Sequence, residues 1–328
     1  MKYRSIALIF SGQGSQYPGM GKDIYDNFAS ARRVFEEASD VLGYDLKELC
    51  FSKPSEAGGK ITQGRDINKT IYTQPAVFTT GYACFRAFLD TCRSEEIPFD
   101  FKLTAGHSLG EYTALVAAGV MDYGPCLSLV RERATRMTEV GRNFPDAGLL
   151  AVVDRRGDLD FEMVSALCEK HGLYITLKNT RRQLVIGGLN TGLTEIAQEL
   201  KKLGKTTTVL KVEGPFHTPM MKPAADKLKK SLDRADFKKA VRPIIANGSA
   251  DIVVEPHQIK DELYRQIFRL VDWRGSIEKA ASCGTDLFIE FGPKKVLSNM
   301  LKDICADIPR LNVEDMASLE ATVKALRE

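Results

Sequence analysis

The stretch TAGHSLGEYTAL, Thr104 to Leu115, decides the reading of this chain. It sets a serine between two glycines, follows the strand-like run FDFKLTA, and opens the helix-like run SLGEYTALVAAG, which ends near Gly119. Strand, sharp glycine turn and helix are what a nucleophile elbow requires, with the serine hydroxyl carried at the tip of the turn. A Gly-x-Ser-x-Gly pattern is short enough to arise by chance. The rest of the chain therefore has to supply a base, oxyanion donors and an anchor for the substrate.

Upstream, SIALIF is a short buried strand that runs into Ser11-Gly12-Gln13-Gly14, a turn where the backbone can come close to a ligand. Apolar residues at 24, 28, 31, 35, 38 and 42 predict a helix from Ile24 to Leu42, and Thr73 to Cys92 a second. Between them, residues 48–70 lose the period and carry proline and paired glycines, which predicts an irregular excursion with short helical pieces. After about Gly141 the pattern changes. AGLLAVV, 158–170, LYITLKN, QLVIGG, 191–203 and KTTTVLKV alternate as β-α-β-β-α-β, the order of a ferredoxin-like split unit. GTDLFIEFGPKKVLSNML then restores a strand, turn and helix. The expected architecture is α/β: a hydrolase-like core with a parallel sheet from 1–142 and 213–328, interrupted by a ferredoxin-like subdomain at 143–212.

At 44% hydrophobic and 27% charged, the 328 residues are those of an ordinary globular chain, which argues against disorder. A net charge of +3 without an arginine-rich arm gives no reason to expect nucleic acid. Seven scattered cysteines, with no C-x-x-C and no paired Cys/His cluster, argue against zinc and suit reduced thiols. The apolar run Ile6 to Phe10 is too short for a secretory signal, and no run approaches the ~20 residues of a membrane span. The expectation is a soluble, cytoplasmic protein that binds no cofactor or metal.

A serine hydroxyl needs a base, most often histidine. Of the four histidines, His171 precedes a glycine at a predicted helix end, where exposure is expected, and His257 falls in the first turn of a predicted helix. His107 adjoins Ser108, and adjacent side chains on an extended backbone point apart. Elimination favours His217, in GPFHTPMM, with His107 as the alternative. Elbow chemistry takes one oxyanion donor from the N–H after the nucleophile, here Leu109, and another from an earlier strand-to-helix loop, here Gln13 in SGQGSQ. That loop lacks the lysine and full glycine set of a nucleotide site. Arg133 shares a helix face with Val130 and Met137, so its cation must be paired. A buried carboxylate or the carboxylate of a substrate would serve equally. Gln266, between Leu263 and Leu270, is a second polar group on an apolar face, whether as a core residue or part of a site.

FSGQGSQYPGMG, AGHSLGEYTALVAAG, LVRERATRM, NTRRQLVIGG, GPFHTPMMKPAADKL, QIFRLVDW and LFIEFGPKKVLSNML stand in the order and spacing of malonyl-CoA:acyl-carrier-protein transacylases. The chain resembles that family from roughly residue 5 to 302. The resemblance implies Ser108 as nucleophile, His217 as base, Gln13 and Leu109 as oxyanion donors, and Arg133 as holder of the malonyl carboxylate. It implies that the backbone carbonyl of Gln266 orients His217, and that Asn179 and Phe216 join Arg133 and Gln266 in binding substrate. The implied reaction is ping-pong transfer of malonyl from malonyl-CoA to the phosphopantetheine thiol of an acyl carrier protein, by a monomer. Lys201, Lys202, Lys205, Lys294 and Lys295 are candidates for a basic docking surface. Two departures stand out: Arg181 where the family usually has proline, followed by Arg182, and Ser11 where it usually has proline. The character of 48–70 and the C-terminal run lean toward a discrete enzyme serving a polyketide synthase, with fatty-acid synthesis the other setting. The rival readings are a proofreading acyl hydrolase of the same fold and a non-catalytic carrier-docking module.

Overall fold

The computed structural model describes residues 2–52 and 64–328. Among them, ten strands form two sheets; the chain begins in one, leaves for the other and returns. β1 (Ile6–Phe10) and β2 (Leu103–Gly106) open the large sheet. β3 (Ala147–Val153), β4 (Tyr174–Lys178), β5 (Gln183–Leu189) and β6 (Thr206–Val209) make the small one. β7 (Ile244–Ile245), β8 (Ile252–Val253), β9 (Leu287–Phe291) and β10 (Arg310–Val313) complete the first.

The large sheet has the order β10-β9-β1-β2-β7-β8 and is parallel except at the β7–β8 edge. β1 and β9 are buried along their whole length, as strands covered on both faces must be. Alternate residues serve two cores: Ile6, Leu8 and Phe10 face one, Ala7 and Ile9 the other. On the first face, the helix Thr70–Ser94 is locked down by rings. Phe291 meets Phe10 at 5.7 Å, Phe85 at 5.3 Å and Phe88 at 5.3 Å, contacts worth about 0.5–1.5 kcal/mol each beyond their buried area. Because β1 and β2 are parallel neighbours with Phe10 opposite Gly106, the loops that follow them emerge side by side. In open α/β sheets, ligands bind beyond those carboxyl ends.

The small sheet runs β4-β5-β3-β6 and is wholly antiparallel. The helices Phe161–Lys170 and Asn190–Lys202 cover one face through Leu150, Val152, Val164, Ile196 and Leu200. Asp160 caps the first of them, accepting from the Met163 N–H at 3.1 Å. The opposite face, with Leu149 and Leu177, packs toward the large unit.

Two sequence expectations change. The helix predicted from Ile24 to Leu42 is two, Lys22–Asn27 and Ala29–Leu42, with Phe28 extended between them. Arg32 secures the break by donating from Nη1 to the carbonyls of Tyr25 and Asp26 at 3.2 and 2.9 Å. A one-residue interruption leaves the apolar spacing nearly intact, which is why the period runs through it. The long helix starts at Thr70 rather than Thr73. Within the expected excursion, Leu46–Phe51 is helical and capped by Asp45, whereas 53–63 lie outside the described residues. No helix among the described residues is long and apolar enough to cross a membrane.

Candidate active site

Ser108 stands at the tip of the turn between β2 and the helix Gly110–Ala117, at φ 50°. A non-glycine residue in this left-handed region stores on the order of 1–3 kcal/mol, so the surroundings must hold it there. The two flanking glycines let the backbone close up. A Cβ on Gly106 would lie 2.0 Å from the Gly110 carbonyl carbon, and one on Gly110 only 2.1 Å from the Phe10 oxygen. Asn247, just past β7, latches the turn from both sides. It accepts from the Ser108 N–H and donates to the Gly106 carbonyl, each at 2.6 Å.

The Ser108 hydroxyl lies 2.9 Å from His217 Nε2, and His217 Nδ1 lies 2.7 Å from the Gln266 carbonyl. A carbonyl only accepts, so Nδ1 carries the proton and Nε2 is the free acceptor facing the serine. Burial, aided by the Arg133 cation, pushes the imidazole pKa down to about 3, which keeps the ring neutral. His217 is also left-handed, at φ 62°, and its N–H donates to the Ile267 carbonyl at 3.2 Å. Both halves of the pair are thus fixed by backbone.

Arg133, on the helix Tyr123–Gly141, is 1% exposed. Nη1 donates to Gln74 Oε1 at 2.7 Å, and Nη2 donates to Gln266 Oε1 at 2.8 Å and to the Ser108 hydroxyl at 3.0 Å. All three acceptors are neutral. Among the described residues, no carboxylate forms an ion pair with Arg133. Burying a cation without a counter-ion is costly, and desolvation accordingly lowers its pKa. The arrangement sets a desolvated guanidinium, without a carboxylate partner among the described residues, against the Ser108 hydroxyl. Gln13, Met137, Leu149, Leu177, Leu210, Val212 and Phe216 close the space around Gln74, Arg133, Ser108 and both histidines, leaving a cavity of about 90 Å³.

The structure thus brings together Ser108, His217, Arg133, Gln266, Gln13 and Phe216, while Leu109 directly follows the nucleophile. Among the described residues, the backbone N–H groups of Gln13 and Leu109 have no hydrogen-bond partner. Asn179 has a different place from the one expected. It is 4% exposed and spent on the protein, accepting from His107 Nε2 at 2.9 Å and donating to Gln183 at 3.2 Å, behind the cavity wall. That bond engages Nε2 of the His107 ring. His257 is exposed as expected. His171 sits at its helix end but is not free: its ring nitrogens meet Glu195 at 2.9 Å and Glu199 at 3.0 Å, leaving the side chain 9% exposed. Arg181 and Arg182 are exposed, Arg181 being 3.9 Å from Glu278, and Lys205 is engaged by Asp154. The Ser11 N–H donates to the Phe291 carbonyl at 3.3 Å, a bond a proline there would lack. The seven cysteines are unpaired, and five are buried. No group of three or more His, Cys, Asp or Glu among the described residues could hold a metal ion.

Gln74, Glu111 and Asn247 were not singled out in the sequence. Gln74 and Glu111 are the long polar side chains among the buried residues of their helices, a signal weakened by the buried threonines beside them. Asn247, in IIANGSA, has the composition of an ordinary turn and offers no such signal.

Comparison with known proteins matches residues 7–324 to the acyl transferase domain family. The malonyl CoA-acyl carrier protein transacylase of Bacillus subtilis (strain 168) is 38% identical, with 98% of each chain covered. The crystal structure of the transacylase of that name from Clostridium perfringens superposes with a TM-score of 0.87 at 33% identity, covering 99% of this chain and 98% of that one. A malonyl-transacylase solved in complex with a type II PKS acyl-carrier protein gives 0.88 at 32% identity, covering 98% and 100%. By fold and by sequence along nearly its whole length, this chain belongs to the malonyl CoA-acyl carrier protein transacylase family of acyl transferase domains.

Proposed function

We propose that this protein transfers a malonyl group from malonyl-CoA to the phosphopantetheine thiol of an acyl carrier protein, through a malonyl ester on Ser108. The observation that carries the reading is Arg133: a buried guanidinium without a carboxylate partner among the described residues, 3.0 Å from the nucleophilic oxygen. An acyl group on that oxygen with a carboxylate one carbon beyond its carbonyl folds back onto the Arg133 fork, where two charge-assisted hydrogen bonds form.

In the first half-reaction the Ser108 oxygen attacks the thioester carbonyl while its proton passes to His217 Nε2. The N–H groups of Gln13 and Leu109 stabilise the oxyanion. The intermediate expels the coenzyme thiol, which takes the proton from His217, and malonyl-Ser108 remains. The carrier's thiol then gives its proton to His217 and attacks the ester, and Ser108 leaves with that proton. The Gln266 carbonyl holds the Nδ1 proton throughout and does the orienting work of a triad carboxylate. Phe216 walls the acyl pocket, and Asn179 acts through His107 rather than on substrate.

We read the large unit, 1–142 and 213–328, as a hydrolase-like core and 143–212 as a ferredoxin-like insertion, a reading supported by the two sheet orders. The protein works in the cytoplasm as a monomer without a resident cofactor. A proofreading hydrolase is disfavoured, since a neutral acyl chain gains nothing from a buried cation. Intact-mass measurement after mixing with malonyl-CoA tests the proposal. A malonyl adduct forms, is absent in Ser108→Ala, and passes to a carrier faster than to water. Loading from acetyl-CoA with none from malonyl-CoA would refute it.

A further inference from the structure

Glu111 has no part in the steps above, yet it is buried two residues' reach from the reacting atoms. It is 2% exposed on the helix Gly110–Ala117, where Gln266 and the Asn247 backbone meet its carboxyl group. Its Oε2 accepts from Gln266 Nε2, and that same nitrogen donates to the Ser108 carbonyl at 2.9 Å. On its other side the Gln266 amide presents Oε1 to Arg133 Nη2 at 2.8 Å. A glutamine amide has two orientations of nearly the same shape. With acceptors from Glu111 and Ser108 on one side and a donor on the other, one orientation is selected. The flipped amide would set its NH₂ against the guanidinium, donor to donor and beside a positive charge.

The protonation state of Glu111 matters as much as its place. Arg133 from the helix Tyr123–Gly141, Glu262 from the helix Pro256–Gln266 and the neighbouring Tyr112 are the titratable groups around it. Burial pushes its pKa up to about 8, with Glu262 adding to the rise and Gln266 and Arg133 opposing it. At neutral pH the group is therefore an uncharged acid that accepts through its carbonyl oxygen. As an anion it would be an internal counter-ion for Arg133 and would compete with the substrate's carboxylate. We propose that Glu111 is a specificity-determining positioning residue: through the Gln266 amide it fixes Arg133 as a charged and uncompensated receptor for the acyl carboxylate. This inference rests on the malonyl-transfer reading.

The test compares wild type, Glu111→Gln and Glu111→Ala, loading each from malonyl-CoA and acetyl-CoA between about pH 6.5 and about pH 9.5. The readout is the malonyl-to-acetyl rate ratio, in which effects common to Ser108, His217 and the coenzyme cancel. In wild type the ratio falls about tenfold across the range as Glu111 ionises. In Glu111→Gln, which keeps an acceptor for Gln266 but cannot ionise, the ratio stays flat. Glu111→Ala lowers it by about tenfold already at pH 7, because the amide loses its anchor. A residue that only supports the fold would slow both substrates alike. A flat wild-type ratio, or the wild-type fall persisting in Glu111→Gln, overturns the inference. If Glu111→Ala does not fold, the Glu111→Gln profile decides alone. Failure of wild type to accept malonyl at any pH is a different result and refutes the transfer reading instead.

Discussion

Replacing Arg133 with alanine separates the two things the site does, making an acyl ester and choosing which acyl group. The guanidinium is 1% exposed and linked to Ser108, Gln74 and Gln266 at 2.7–3.0 Å, so a carboxylate bound there meets a desolvated and oriented cation. Breaking such a buried charge pair costs about 3–5 kcal/mol. At about 1.4 kcal/mol per factor of ten, kcat/KM for malonyl loading falls about 150- to 4,000-fold in Arg133→Ala. Acetyl has no carboxylate to lose. Its loading stays within about threefold of wild type or improves, since water entering the vacated space satisfies the Gln74 and Gln266 oxygens. The assay is rapid-quench intact mass with each thioester at limiting concentration, alongside circular dichroism to confirm the fold. Equal losses for both substrates would refute the reasoning, because Arg133 would then act on the nucleophile and not on the acyl group. Lysine should recover only part of the malonyl rate, having a point charge in place of a fork.

Because His217 is held neutral with its pKa near 3, kcat/KM for acetyl loading should stay flat from about pH 8 to about pH 5.5, where an ordinary histidine would already be mostly protonated. An acid limb centred near the ordinary histidine value would show that the imidazole is not held neutral. The sign for stability is the same: the unfolded chain protonates His217 first, so this residue makes the fold less stable as pH falls below about 6.5. Gly110→Ala places a methyl 2.1 Å from the Phe10 oxygen and should cost about 3 kcal/mol or more, with acyl loading lost as the elbow is forced off β1. A thermal midpoint and loading rate both unchanged would contradict that account of the glycine.

What the sequence makes legible here is what is local or chemically costly. The elbow lies within five consecutive residues, His217 follows from elimination among four histidines, and Arg133 betrays itself as a charge on an apolar stripe. The sheet pattern after Gly141 survives because both strand and helix periods are clean there. What stays hidden depends on distance in space. Asn247 reaches Ser108 across 139 positions, and nothing in its own neighbourhood marks a turn asparagine as a latch. Asn179 looks like a site residue until the ring of His107 is seen to occupy its side chain. The break at Phe28 escapes because an interruption of one residue barely disturbs a helical period.

The cavity over Ser108 is a seam between two separately built pieces. Its floor, with Ser108, His217 and the Arg133 cation, belongs to the large sheet and its helices. Leu149 and Leu177, with Leu210 and Val212 just past β6, form a ceiling contributed by the small sheet and its exit strand. Nothing in that ceiling exchanges a proton or carries a charge. The walls that bound the space over Ser108 and the polar groups that face it therefore come from different stretches of chain, so substitutions in the ceiling change the shape of the space without touching the hydrogen bonds of the floor.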